Sequence, residues 1–153
     1  MQALELKIPP PVIALLVAGS MWIAHRYAPW LGLAIPRRLV FAVALVLLGI
    51  ALALAGVVAF RKARTTVHPL KPENTSAVVA TGIYRFTRNP MYLGMLTVLV
   101  GWAFFLANAV SFSLLPLFVL YMNRFQIGPE ERVLSGHFGA EYTRYMQSVR
   151  RWL

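Results

Sequence analysis

The sequence predicts an all-α, polytopic membrane protein. Four transmembrane helices are expected, the last two a tight hairpin, followed by a C-terminal cytoplasmic amphipathic helix. Three observations lead there. Of 153 residues, 59 % are apolar and only 13 % are charged, about half the ~25 % charge of an ordinary soluble domain. Mean hydropathy is +0.64. The charges collect between long uncharged runs, as in a chain whose helices face hydrocarbon and whose loops face water. The same figures exclude a disordered tail, a collagen-like chain and a typical water-soluble globule. The length suits one domain over residues 1–153, with two N-terminal spans in 1–64 and the chemistry in 65–153.

The first run, Ile8 to Ala24, opens on Pro9, Pro10 and Pro11, which suit a helix start. Lys7 and the small residues Ala18, Gly19 and Ser20 also fit a signal peptide, but the run is read as a span. The second run, Leu39 to Phe60, has 22 residues, about 33 Å of helix, enough for a ~30 Å hydrocarbon core. Gly49, Ala53 and Gly56 within it are read as packing residues that let helices approach closely. Between Arg88 and Arg124 lie 35 uncharged residues, about 52 Å of helix, too long for one span and short for two. A hairpin turning near Ala107 and Asn108 is expected, with Pro116 kinking its second arm. Trp22, Trp30 and Trp102 are read as interface anchors.

Four spans put both termini and the loop Arg61–Arg88 on one side. That side carries 12 Lys and Arg, against 3 (Arg26, Arg37 and Arg38) on the other, so it is expected to be cytoplasmic. The formal charge of +10 would suggest nucleic acid on a soluble protein. Flanking apolar runs, it fits an anionic leaflet instead; no nucleic-acid partner is expected. There is no cysteine and no aspartate, which removes thiolate chemistry and Cys-based metal sites. His25, His68 and His137 have no metal-ligand spacing, and no metal is expected.

Polar chemistry concentrates in two segments. The first, Thr65 to Tyr92, ends in Asn89-Pro90. Proline pushes the preceding residue out of the helical region, so Asn89 should be extended and a helix should open at Pro90. The free N–H groups of that opening, with Arg85, Arg88 and Asn89, suit an anionic group; a helix cap with interfacial arginines is the alternative. The second, Arg124 to Leu153, places Pro129 at an expected helix start with Glu130 and Glu131 in its first turn. That pair either complements a helix dipole or waits for a cation, since two of the five acids stand side by side at a membrane edge. Leu134, Phe138, Tyr142, Tyr145, Val149 and Trp152 then form a one-faced helical stripe, with Gly136 and Gly139 as possible breaks.

The stretch TGIYRFTRNPMYLG, followed about 40 residues later by EERVLSGHFGAEYTRY, resembles the integral-membrane methyltransferases related to isoprenylcysteine carboxyl methyltransferase and to the phospholipid N-methyltransferases. The resemblance covers roughly Thr66 to Val149. It implies methyl transfer from S-adenosylmethionine to a lipophilic acceptor drawn from the bilayer, in a multi-pass protein whose termini and active site are cytoplasmic. It implies that Tyr84, Arg85, Asn89, Tyr92, Glu130 and Glu131 line the cofactor site and that Arg88 sits between cofactor and acceptor. Asn89 stands where the isoprenylcysteine branch has histidine, and Ser148 where it has arginine, with Arg150 just beyond as a second catalytic candidate.

The residue chemistry is compatible with that implication. A glutamate of the pair can take the cofactor's ammonium. An arginine or the helix start at Pro90–Tyr92 can take its carboxylate. Tyr84, Tyr92, Tyr142 or Tyr145 can cover the adenine or face the sulfonium. A carboxylate acceptor would be positioned by Arg88. A neutral amine would need a base, for which a glutamate, a tyrosine or water are candidates. The alternatives are N-methylation of an ethanolamine phospholipid or, from other classes, a non-catalytic membrane module or a small transporter component. A transporter would need ionisable groups within the spans, and every charge lies at an end or in a loop.

Overall fold

Apolar runs flanked by prolines and charges become helices. The computed structural model describes residues 5–63 and 77–153, and among them every regular element is helical. His68, Lys71 and the first part of the polar segment beginning at Thr65, residues 65–76, lie outside the described residues. Helix α1 is Pro10–Tyr27, α2 is Arg38–Lys62 and α3 is Pro90–Leu106. Helix α4, Ala109–Tyr121, runs through a π turn, Met122–Ile127, into α5, Gly128–Phe138, and α6 is Ala140–Ser148. A 3-10 turn, Gly82–Arg85, precedes α3.

The hairpin turns where expected. Ala107 ends α3 in the left-handed conformation (φ 48°), and the Asn108 side chain caps α4 by accepting from the Val110 N–H. Asn108 also donates to the Ala28 carbonyl at 2.9 Å, and Leu33 N–H reaches the Ala107 carbonyl at 2.7 Å. These bonds fix the α1–α2 connection against the hairpin tip.

Helices α2 and α3 pack antiparallel over their whole length, and small residues make this possible. A methyl added at Gly49 would lie 2.6 Å from the Gly94 carbonyl and 2.7 Å from Val98, so the two backbones touch where side chains are missing. Gly56 meets Met91 and Gly101 meets Ala42 in the same way. The core joins Ile13 and Met21 of α1, Leu99 and Ala103 of α3, and Phe118 and Met122 of α4 and the π turn. The Trp102 indole N–H donates to the Ala18 carbonyl at 3.1 Å, tying α3 to α1.

Two helices, Arg38–Lys62 and Ala109–Phe138, are long and apolar enough to cross a membrane. Large apolar side chains, among them Leu15, Leu16, Val40, Leu47, Leu54 and Leu120, point outward and are more than half exposed, as on helices solvated by hydrocarbon rather than buried in a soluble core.

Two sequence expectations change. Residues 109–138 form one continuous helix of 30 residues, so Pro129 does not open a new one. Helix dipole complementarity therefore no longer accounts for Glu130 and Glu131. The C-terminal stripe divides: Gly139 breaks the helix at φ +55°, a conformation that glycine adopts at little cost. Leu134, Phe138, Tyr142, Tyr145 and Val149 pack together with Tyr84, whereas Trp152 turns back and donates to Asn123 at 3.1 Å.

Candidate functional site

At the end of the bundle where α2 finishes and α3 begins, two stretches distant in sequence meet. Asn89 has φ −130°, ψ 58°, outside the helical region as a residue before proline should be, though short of fully extended. Pro90 then starts α3. The chain after α6 leaves in extended conformation at Val149 and lies along this corner. Arg88 N–H donates to the Arg150 carbonyl at 2.9 Å, and the Thr87 hydroxyl and the Asn89 amide donate to the Arg151 carbonyl at 3.1 and 3.0 Å. Thr87 is fully buried.

Side chains from both stretches converge on the glutamates. Glu131 accepts from Arg88 at 2.8 Å and from the Nε and Nη2 of Arg151 at 3.0 and 2.5 Å. Arg88 also donates to the Met146 carbonyl at 2.7 Å. Glu131 is thus fully engaged by two cations. Glu130 is different: it accepts from the Tyr92 hydroxyl and, at 3.1 Å, from the Gln126 amide, both neutral donors. A buried carboxylate with neutral partners is costly unless a cation joins it.

Between these groups lies a cavity of about 80 Å³ walled by Phe60, Tyr84, Arg88, Tyr92, Glu130 and Tyr142, with Asn89 and Glu131 also on it. A second, of about 60 Å³, adjoins it across Phe60, Tyr84, Arg88, Leu134 and Tyr142 and reaches Tyr145. Arg88 Nε–H is buried and has no hydrogen-bond partner among the described residues. Tyr145 donates to the Tyr84 carbonyl at 2.8 Å, and Phe60 meets the Tyr84 ring edge-on. Burial pushes the phenols of Tyr84, Tyr142 and Tyr145 well above their ordinary value, so they stay neutral and are poor bases. Hydrogen bonds from Arg151 to Glu131 raise the Arg151 guanidinium above its usual range.

Of the residues singled out from sequence, Tyr84, Arg88, Asn89, Tyr92, Glu130, Glu131, Tyr142 and Tyr145 come together here, and Pro90 shapes the corner. Arg85 and Arg150 have exposed side chains; Arg150 contributes its carbonyl, and the guanidinium at Glu131 belongs to Arg151. Phe60, Thr87 and Gln126 line or brace this corner and were missed by sequence reasoning, which chose Arg150 over its neighbour Arg151.

The phospholipid methyltransferase family model matches residues 37–141. An uncharacterised protein of Haemophilus influenzae is 46 % identical over 63 residues, which cover 41 % of this chain and all of that protein. The protein-S-isoprenylcysteine O-methyltransferase of Saccharomyces cerevisiae is 34 % identical over 82 residues, 52 % of this chain and 33 % of that enzyme. Protein-S-isoprenylcysteine O-methyltransferase A of Arabidopsis thaliana is 28 % identical over 109 residues, 71 % of this chain and 55 % of that enzyme. The matches span a third to about half of the length of these two enzymes. No solved structure matches the chain.

Proposed function

The chain belongs to the phospholipid methyltransferase family, and we propose that it transfers a methyl group from S-adenosylmethionine to a lipophilic acceptor in the membrane. One observation carries the reading: Glu130, a half-buried carboxylate whose partners among the described residues are neutral, and Arg88, a half-buried arginine whose Nε–H has no partner among the described residues, face one cavity. A zwitterionic amino acid head answers both, its ammonium going to Glu130 and its carboxylate to Arg88. The rings of Tyr84 and Tyr142 in the same walls suit an adenine or a sulfonium.

When bound, the cofactor supplies an electrophilic methyl whose transfer leaves a neutral thioether. The chain's part is alignment and exclusion of water. In this reading Arg88 holds the donor or an anionic acceptor, and the apolar walls Phe60 and Leu134 keep the space dry. The acceptor lone pair forms the new bond to carbon as the carbon–sulfur bond breaks. A carboxylate acceptor needs no base. A neutral amine gives a methylammonium whose proton must leave, and since the tyrosines stay protonated, a glutamate or water takes it. The cavity is small in this arrangement, so donor binding must widen it.

Four crossings with both termini and the site on the cytoplasmic side accord with the placement of Glu5, Lys62 and the C-terminal tail at one end of the bundle. The family's description supports a phospholipid as the second acceptor reading, for which an ethanolamine head, with its methylatable amine, is the form proposed. Asn89 and Ser148, which depart from the isoprenylcysteine pattern, speak against a prenylcysteine carboxylate.

Equilibrium binding of labelled S-adenosylmethionine to the full chain in lipid nanodiscs tests the assignment. Glu130→Gln should weaken binding at least tenfold, while Glu131→Gln, which removes a group already neutralised by arginine, should weaken it less. Wild-type affinity in Glu130→Gln would remove this carboxylate from the site. Methylation of a membrane lipid extract, read by mass spectrometry, then identifies the acceptor.

A further inference from the structure

Glu5 and Leu6 lie outside the stretch matched by the family and outside the cavity, yet they grip the segment that carries it. Pro129 has no N–H to give to the carbonyl four residues earlier, that of Phe125. Leu6 N–H donates to that carbonyl at 3.1 Å. To do so Leu6 holds φ 55°, a left-handed conformation uncommon outside glycine, asparagine and aspartate. Glu5 fixes it in place: one carboxylate oxygen accepts from Arg124 at 2.7 Å and the other accepts from Arg132. The three contacts straddle residues 124–132, which include Gln126, Glu130 and Glu131.

The segment needs such a grip because its register decides which side chain stands opposite Tyr92 of α3, the hydroxyl that donates to Glu130. A π turn carries one residue more than the α-helical path it replaces. If Met122–Ile127 relaxed to α-helix, α5 would rotate by about 100° on its axis and shift about 1.5 Å. Glu130 would then take the direction Glu131 has now and leave Tyr92, and Pro129 would stand where Glu130 was.

We propose that Glu5–Leu6 is a positioning strap for the donor site, locking the π turn and thereby the register of Gln126 and Glu130 against α3. This rests on the reading of the cavity as the methyl-donor site. It adds that the N-terminal segment, though it touches no substrate, sets donor affinity.

The test uses the full chain in lipid nanodiscs, with labelled S-adenosylmethionine binding and amide hydrogen exchange measured side by side. Glu5→Gln should raise the Kd about tenfold and speed exchange across residues 123–127 about tenfold. The Arg124→Gln, Arg132→Gln double variant should do the same, and adding Glu5→Gln to it should change neither value further. Reversing the pair, Glu5→Arg with Arg124→Glu and Arg132→Glu, should restore both, which a variant that had merely lost its fold would not do. Wild-type exchange across 123–127 in Glu5→Gln would overturn the strap. Faster exchange with unchanged affinity would overturn its bearing on the donor site. A wild-type chain that binds no S-adenosylmethionine would sink the donor reading itself, and exchange alone would then decide whether the strap holds the turn.

Discussion

Arg88 spends its guanidinium on three tasks: it pairs with Glu131, bonds the Met146 carbonyl and keeps Nε–H unpartnered at the cavity wall. If that last group holds the donor carboxylate, Arg88→Ala should weaken S-adenosylmethionine binding at least tenfold and lower turnover with it. Arg88→Lys, which keeps a cation for Glu131, separates folding from chemistry, and a turnover loss of about 100-fold with affinity changed only a few-fold would move Arg88 to an anionic acceptor instead. At the same scale, Arg150→Ala should be close to neutral in both readouts, because its contribution is a carbonyl, whereas Arg151→Ala leaves Glu131 with one cation. The sequence pointed to the Arg-Asn-Pro corner and the adjacent glutamates because scarce charges beside apolar runs stand out. It did not distinguish Arg151 from Arg150, since neighbours in an extended tail point apart and only the folded path decides which meets Glu131.

Helix packing depends on contacts that sequence shows as mere smallness. Gly49 and Gly94 let α2 and α3 touch backbone to backbone. Gly49→Ala should therefore force the helices apart and cost about 1–3 kcal/mol of stability, as overpacking does, measured by unfolding in mixed detergent micelles. Ala107 presents the opposite case. It ends α3 at φ 48°, where an L-residue is strained and glycine is the usual choice. Ala107→Gly should stabilise by about 1 kcal/mol in the same assay, and a loss would show that the Ala107 methyl packs more tightly than its strain costs. The hairpin was legible because its turn falls between two apolar runs. The π turn was not: its sequence, MNRFQI, carries no signal separating π from α, and the neighbouring Pro129 read as a helix start when it lies within a continuing helix.

For the molecule as a whole, the absence of cysteine makes topology directly measurable. A single cysteine at Ala34, in the connection between α1 and α2, should react with a membrane-impermeant maleimide added outside intact cells. A cysteine at Ala80 or Leu153 should react only after permeabilisation. Labelling of Ala34 and Leu153 from the same side would overturn the four-crossing arrangement. Charge patterning supports the orientation: Arg26, Arg37 and Arg38 lie at the bundle end away from the candidate site, and the remaining basic residues among those described lie at the site end.

Composition and spacing by themselves determined that this chain is helical, apolar and membrane-directed, where its hairpin turns, and which two polar segments stand out as candidates for its chemistry. Those properties follow from hydration, which acts on each residue whatever its distant neighbours. Tertiary structure decided the rest: that Glu131 is neutralised and Glu130 is not, that Arg151 reaches the site by way of a tail laid along Thr87–Asn89, and that Glu5 clasps the π turn. Each depends on the rotation and register of one helix against residues far away in the chain, and a single added residue in a helical turn, worth about 100°, is enough to change which side chain faces which.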